Sequence, residues 1–202
     1  MSLSTYSGLK ASIANWLNRT DLTDEIPDFI QLAENRIYHE LRIPTMEKIA
    51  VLDVDEEGFA DIPDDFLELK EILWNYVPLD RISLQDMYAR SDLTGTPSYF
   101  ARQQYKFKFY PTPIETESGP LRIIYYYDLG RLSDEEPTNS LLSVSPELYL
   151  FAALREAGVF LGHDPQQMAS WEESYQTALA RLITHERSAE FAGSTPLVQS
   201  GY

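Results

Sequence analysis

The chain of 202 residues contains no cysteine, which excludes disulfide scaffolds, thiolate zinc sites and cysteine nucleophiles together. Its three histidines, His39, His163 and His185, show no HxxxH or HExxH spacing. Imidazole ligands to a metal must converge, and nothing in the sequence brings these together. No stretch approaches the ~20 consecutive apolar residues of a membrane span, and the N-terminus lacks a basic-then-apolar signal pattern. The expectation is a protein made in and assembled from the cytosol, without a membrane partner. No serine sits in a GxSxG elbow and no glycine-rich loop could cradle a phosphate. Positive charge is also scarce: 16 basic residues face 32 acidic ones, a net charge of −16. The excess is uneven, −2 over residues 1–44, −10 over 45–144 and −4 over 145–202. Sequence-independent DNA binding needs lysine and arginine to neutralise phosphates, so this chain should not grip DNA. An acidic wall could still surround DNA and let it slide.

What the sequence does contain is organised around Ser145 to Glu190. Between Leu148 and Leu161 the strongly polar residues are Arg155 and Glu156 alone, which predicts a helix buried on every side. Ser145 is a capping residue, Pro146 suits the first helical position, and Gly162 can supply a left-handed stop. Asp164 then caps a second helix with the stripe Met168, Trp171, Tyr175, Ala178, Leu179 and Leu182, and the short connection makes the two antiparallel neighbours. If the second helix runs to about Glu190 it overhangs its partner by roughly ten residues, about 15 Å. That overhang is poor in apolar residues and would be weakly supported within one subunit. At the other chain end, Thr5 precedes a helix with Tyr6, Leu9, Ile13, Trp16 and Leu17 on one face. Thr23 or Asp24 precedes another, with Ile26, Phe29, Ile30, Ala33, Ile37 and Leu41, closed by Pro44.

The middle has strand periodicity. Met46–Val54, a turn at Asp55–Gly58 and Phe59–Ile62 read as a hairpin. After Pro63, Phe66–Trp74 has a period that would serve helix or strand and reads as a turn followed by a strand; Leu84–Arg90 reads as a short surface helix, and Gly95–Pro97 as a breaker. Tyr105, Phe107 and Phe109 alternate with Lys106, Lys108 and Tyr110, and Leu121, Ile123, Tyr125 and Tyr127 repeat the pattern. Arg131 to Ser145 reads as a polar link back. The expected fold is α+β: a four-helix bundle from the two chain ends with an inserted small antiparallel β module. The expected segments are 1–44 and 145–190 for the bundle, 45–144 for the module, and 191–202 for a C-terminal tail.

Candidate chemistry is sparse. Asp53, Asp55, Glu57, Gly58 and Asp64 nearly spell a calcium loop, but that loop needs flanking helices and a final glutamate. Here the flanks read as strands and Pro63 interrupts, so an acidic turn is the better reading. With 32 carboxylates some acid pair always lies close, so an acid and base couple such as a glycosidase uses is expected by coincidence alone. Arg102, Lys106 and Lys108 among aromatics resemble a single-strand stacking platform, yet on a strand the two sets face opposite ways. The tail from Gly193 to Tyr202 is uncharged and partly apolar, and could order on a partner. No cofactor is expected.

The segments TYSGLKASIANWLNRTDLTDEIPDFIQLAENRIYHELR, MEKIA, IPDDFLELKEI, GTPSYF, LRIIYYY and SPELYLFAALREAGVFLGHDPQQMASWEESYQTALARL, in this order from Thr5 to Leu182, resemble the head-to-tail adaptor proteins of tailed bacteriophages. They are similar to the tail tubular protein A type of short-tailed phages. The resemblance implies a non-enzymatic structural part in the virion, built in the host cytoplasm, commonly as a ring of twelve copies below the portal and around the DNA exit channel. It implies that the bundle docks to the portal, that the β module reaches neighbouring copies and the next, nozzle-type tail protein, and that the C-terminal segment inserts against portal subunits. On this chain the implied portal contacts fall on Arg181, His185 and Arg187 in the overhang and on Phe191, Pro196, Leu197, Val198 and Tyr202 in the tail. Competing classes are a glycan- or receptor-binding tail component, which would expose aromatics among Trp74, Tyr76, Tyr99 and Tyr126, and a carboxylate-dependent carbohydrate hydrolase, which would need two acids converging in a pocket with a shifted pKa.

Overall fold

The computed structural model describes residues 3–114 and 120–191, with side chains as far as Ser188. In chain order the elements are α1 (Tyr6–Leu17), α2 (Ile26–Glu40), β1 (Glu47–Leu52), β2 (Phe59–Asp61), β3 (Phe66–Trp74), β4 (Val77–Pro78), β5 (Asp80–Arg81), α3 (Leu84–Tyr88), β6 (Tyr99–Gln103), β7 (Lys106–Tyr110), β8 (Leu121–Tyr127), α4 (Ser140–Val144), α5 (Pro146–Leu161) and α6 (Pro165–Phe191). Two compact units result, one from the chain up to Thr45 and again from Leu129, the other from Met46–Asp128. Among the described residues six helices and two four-stranded sheets replace the expected four-helix bundle with a small β module. The return segment supplies a helix of its own, and the middle of the chain closes two sheets on a separate core, which is more than an appendage to a bundle.

In the helical unit, Thr5 Oγ1 accepts the Gly8 N–H at 3.2 Å to start α1, and Asn18 ends it at φ 51°. Leu9, Ile13 and Leu17 are buried, whereas Trp16 is 55% exposed, its ring edge-on to Phe151 at 5.6 Å. The six-residue apolar stripe of α2 is wholly buried, but neither Thr23 nor Asp24 caps it. Glu25 stands there without a side-chain cap bond, and Pro27 in the first turn presets the backbone instead. Helix α5 is not buried on every side: Val159 and Phe160 are 57% and 62% exposed, because its partners in this unit cover only part of its circumference. Ser145 makes no cap bond either. Asn139 does that work one helix earlier, its Oδ1 accepting the Leu142 N–H at 2.8 Å to start α4.

The segment expected as a polar link is therefore structural. Leu132, Leu141 and Leu142 are buried, and α2 holds the stretch through polar bonds. Glu34, 1% exposed, accepts the Leu132 N–H at 2.8 Å and lies 3.7 Å from the Arg131 guanidinium, while Tyr38 donates to the Gly130 carbonyl at 2.7 Å. Glu34→Ala orphans a buried amide but also removes a buried carboxylate, so the expected net loss is ~1 kcal/mol, read as a lower urea midpoint.

In the β unit the first sheet has the order β1-β8-β3-β4 and the second β2-β7-β6-β5, antiparallel except for β5 beside β6. The expected hairpin of β1 with β2 does not form. The Asp55–Gly58 turn reverses the chain, but β1 pairs with β8 and β2 with β7. Crossing between sheets lets Ala50 and Leu52 reach the same core as Ala60, together with Ile72, Trp74, Phe107 and Phe109. Gly58 at φ +80° permits the turn, where a Cβ would also meet Thr112 at 3.2 Å. The alternation in β7 begins only at Phe107. Tyr105 is 82% exposed because it stands in the β6–β7 turn beside Gln104 at φ 54°.

Candidate assembly surfaces

The α5–α6 pair is the scaffold of the C-terminal surface. Gly162 stops α5 at φ 65°, and Asp164 Oδ1 accepts the Gln166 N–H at 2.8 Å to start α6. Gly158 of α5 lies under Trp171 of α6 in close contact. A Cβ on Gly158 would come within 2.9 Å of the indole. From this junction α6 runs 27 residues against 16 in α5. The surplus gives an overhang of roughly 16 Å at 1.5 Å per residue.

A cluster of charges fastens α6 to α2. Arg36 Nη1 and Nη2 donate to both oxygens of Glu172 at 2.8 and 2.6 Å, and its Nε donates to Glu40 at 3.0 Å. The guanidinium lies 4.1 Å over the Tyr175 ring, and the Tyr175 hydroxyl donates to Glu40 at 2.8 Å. Arg155 of α5 approaches Glu172 at 3.3 Å. The Arg36 hydrogen bonds hold the Glu172 carboxyl down at about 2. Burial first, then the hydrogen bond to Glu40, pushes the Tyr175 phenol well above its ordinary range. An open cleft beside the cluster is lined by Arg36, Arg155, Glu156, Met168 and Glu172. It does hold two carboxylates, but a general acid needs a raised pKa, and Glu172 is displaced the other way. This arrangement fastens helices.

Of the residues implied to contact the portal, Arg181, His185 and Arg187 are exposed on the overhang. Phe191 is the last helical residue, and Pro196, Leu197, Val198 and Tyr202 lie outside the described residues. The overhang is better supported than its composition suggested. Leu182 is buried, and Glu186, 9% exposed, accepts from the Thr45 hydroxyl at 2.6 Å and the Thr45 N–H at 3.3 Å. That bond joins residues 141 positions apart and has no local signature. Arg36 was more accessible, since Arg36–Glu40 and Glu172–Gln176 are both i,i+4 pairs.

The remaining candidates are used locally. Asp55 Oδ1 accepts the Glu57 and Phe59 N–H groups at 3.1 and 2.8 Å, which commits it to the turn. Among the described residues no three metal-ligating side chains group together. Of the four aromatics that would mark a glycan platform, Trp74 is buried and Tyr99 and Tyr126 are half-buried, leaving Tyr76 exposed with Arg122 stacked 4.3 Å over its ring. One exposed ring is not a platform. No described helix is long and apolar enough to cross a membrane.

Among curated proteins none matches the chain. The family model that matches is the SU10 adaptor protein, over residues 4–199.

Proposed function

This chain belongs to the SU10 adaptor protein family, a family of structural phage adaptors, and on that premise we propose that it forms a ring below the portal, joining the head to the tail and enclosing the DNA exit channel. The observation that carries the reading is a family match running through both units and the whole of α6. Head-to-tail contacts between copies close into a ring, and a preformed portal circle would template that closure. In this reading the ring is of the tail tubular protein A type. The α6 overhang with Arg181, His185, Arg187 and Phe191, and the tail with Pro196, Leu197, Val198 and Tyr202, face portal subunits; the β unit faces neighbouring copies and the next tail protein. A net charge of −16 suits a channel that DNA passes without being held.

Mixing the purified chain with its portal ring tests this. A stoichiometric complex is expected by light scattering, from a chain that alone is monomeric or weakly associated. Removing residues 192–202 should weaken binding at least ~tenfold, about 1.4 kcal/mol. Stable rings without portal would contradict the templating step, and undiminished binding by the truncated chain would move the interface elsewhere.

A further inference from the structure

The four sheet edges of the β unit are not alike. β4 is two residues ending in Pro78, β5 is two residues, and β2 is three. Short strands and proline are how sheet edges are blunted against unwanted pairing. β1 is six residues without proline or bulge, with β8 on one side and no strand on the other among the described residues. Its core-facing positions are Ala50 and Leu52. Its outward-facing positions include Ile49 and Val51, 65% and 62% exposed. They continue an outer face on which Val51 stands beside Arg122, with Leu73 on the far side of Arg122, and Ile49 stands beside Ile124. Lys48 is the one cation in the strand, and it is drawn to Asp65 at 2.6 Å; a six-residue edge free of proline and bulge, with apolar side chains exposed beside it, is the arrangement that accepts an added strand.

Charge decides what kind of strand. Asp53, Asp55, Glu56 and Glu57 follow β1 directly, all exposed. Residues 46–128 hold 16 acidic against 8 basic residues, a net charge of −8. A second copy pairing edge to edge through its own β1 would bring the same −8 to the same edge, and like charge opposes that symmetric pairing. We infer that β1 is a docking edge for an extended segment of a different, basic protein, which pairs its backbone with Glu47–Leu52, sets apolar side chains against Ile49 and Val51, and places lysine or arginine beside the Asp53–Glu57 carboxylates. This goes beyond the adaptor reading and does not depend on portal docking, so a chain that failed to bind portal would still take such a strand.

The test uses the full chain and a blocked synthetic peptide of alternating valine and threonine preceded by lysines. Two controls accompany it: a version N-methylated at alternate residues, and one with glutamate in place of lysine. The unmodified peptide should bind by calorimetry and slow hydrogen exchange at amides of Glu47–Leu52. Both control peptides should fail, and Ile49→Thr with Val51→Thr, which keeps strand propensity, should weaken binding at least ~tenfold. Equal binding of the methylated peptide would mean charge adhesion without strand addition, and would overturn the inference. So would absent binding, binding indifferent to the two threonines, or self-association of the chain that those threonines abolish, which would make the occupant a second copy.

Discussion

Gly158→Val is expected to destabilise the helical unit by about 3 kcal/mol, read as a fall in the urea midpoint of the helical circular dichroism. Replacing a mid-helix glycine usually helps, since glycine costs roughly 0.5–1 kcal/mol relative to alanine in a helix. Here the gain is outweighed. The first added carbon would lie 2.9 Å from the Trp171 ring and 3.1 Å from Met168 Cγ. Met168 is flexible and can yield, but Trp171 is 4% exposed, so its rigid indole has little room to retreat. Valine adds two further carbons and would force α5 and α6 apart at this contact. Alanine should cost less than valine and should turn neutral or favourable in a Trp171→Leu background, where the ring is gone. An unchanged midpoint for the valine variant would show that this junction is not close-packed.

The same junction illustrates how far the sequence was legible. Met168, Trp171, Tyr175, Ala178, Leu179 and Leu182 declared a stripe, and Asp164, Pro165 and Gly162 declared the boundaries, because capping and periodicity are local physics. Nothing local announced that Gly158 sits under Trp171. Tertiary pairing was where reading failed. Met46–Val54 and Phe59–Ile62 carry correct strand signals on either side of a correct turn, yet they join different sheets, since sequence adjacency favours a hairpin without enforcing one. Tyr105 kept the alternation of β7 on paper while standing in a turn, and Val159 and Phe160 looked like core because an apolar residue does not state which side of its helix has a partner. The buried acid Glu34 and the Thr45–Glu186 bond were invisible for the same reason: each partner lies about a hundred residues or more away in the chain. The implied portal contacts came from family likeness, with no chemical signature of their own, and of these Arg181, His185 and Arg187 have described side chains.

Arg36→Ala is expected to cost about 2 kcal/mol near neutrality, and the cost should shrink in acid. Arg36 is the shared donor for Glu172 on α6 and Glu40 on α2, and its plane covers Tyr175, so its removal loosens α6 from α2 at one stroke. The Glu172 carboxyl ionises near 4.5 when unpaired and at about 2 in the folded chain. A carboxyl with a lowered folded pKa stabilises most above its unfolded value, so the Glu172 contribution is complete above about 4.5 and fades as pH falls through about 2. The full shift would correspond to roughly 3 kcal/mol, and because the Glu172 side chain is 33% exposed, solvent screening reduces that toward the ~2 expected here. The difference in urea midpoint between wild type and Arg36→Ala should thus narrow steadily as pH is lowered across that window, leaving the part due to stacking on Tyr175. Arg36→Lys should restore only a fraction, because one ammonium cannot span both Glu172 oxygens and Glu40 in the geometry of the guanidinium fork. A midpoint difference that stayed constant from neutrality into acid would show that the guanidinium matters for its packing and not for its charge.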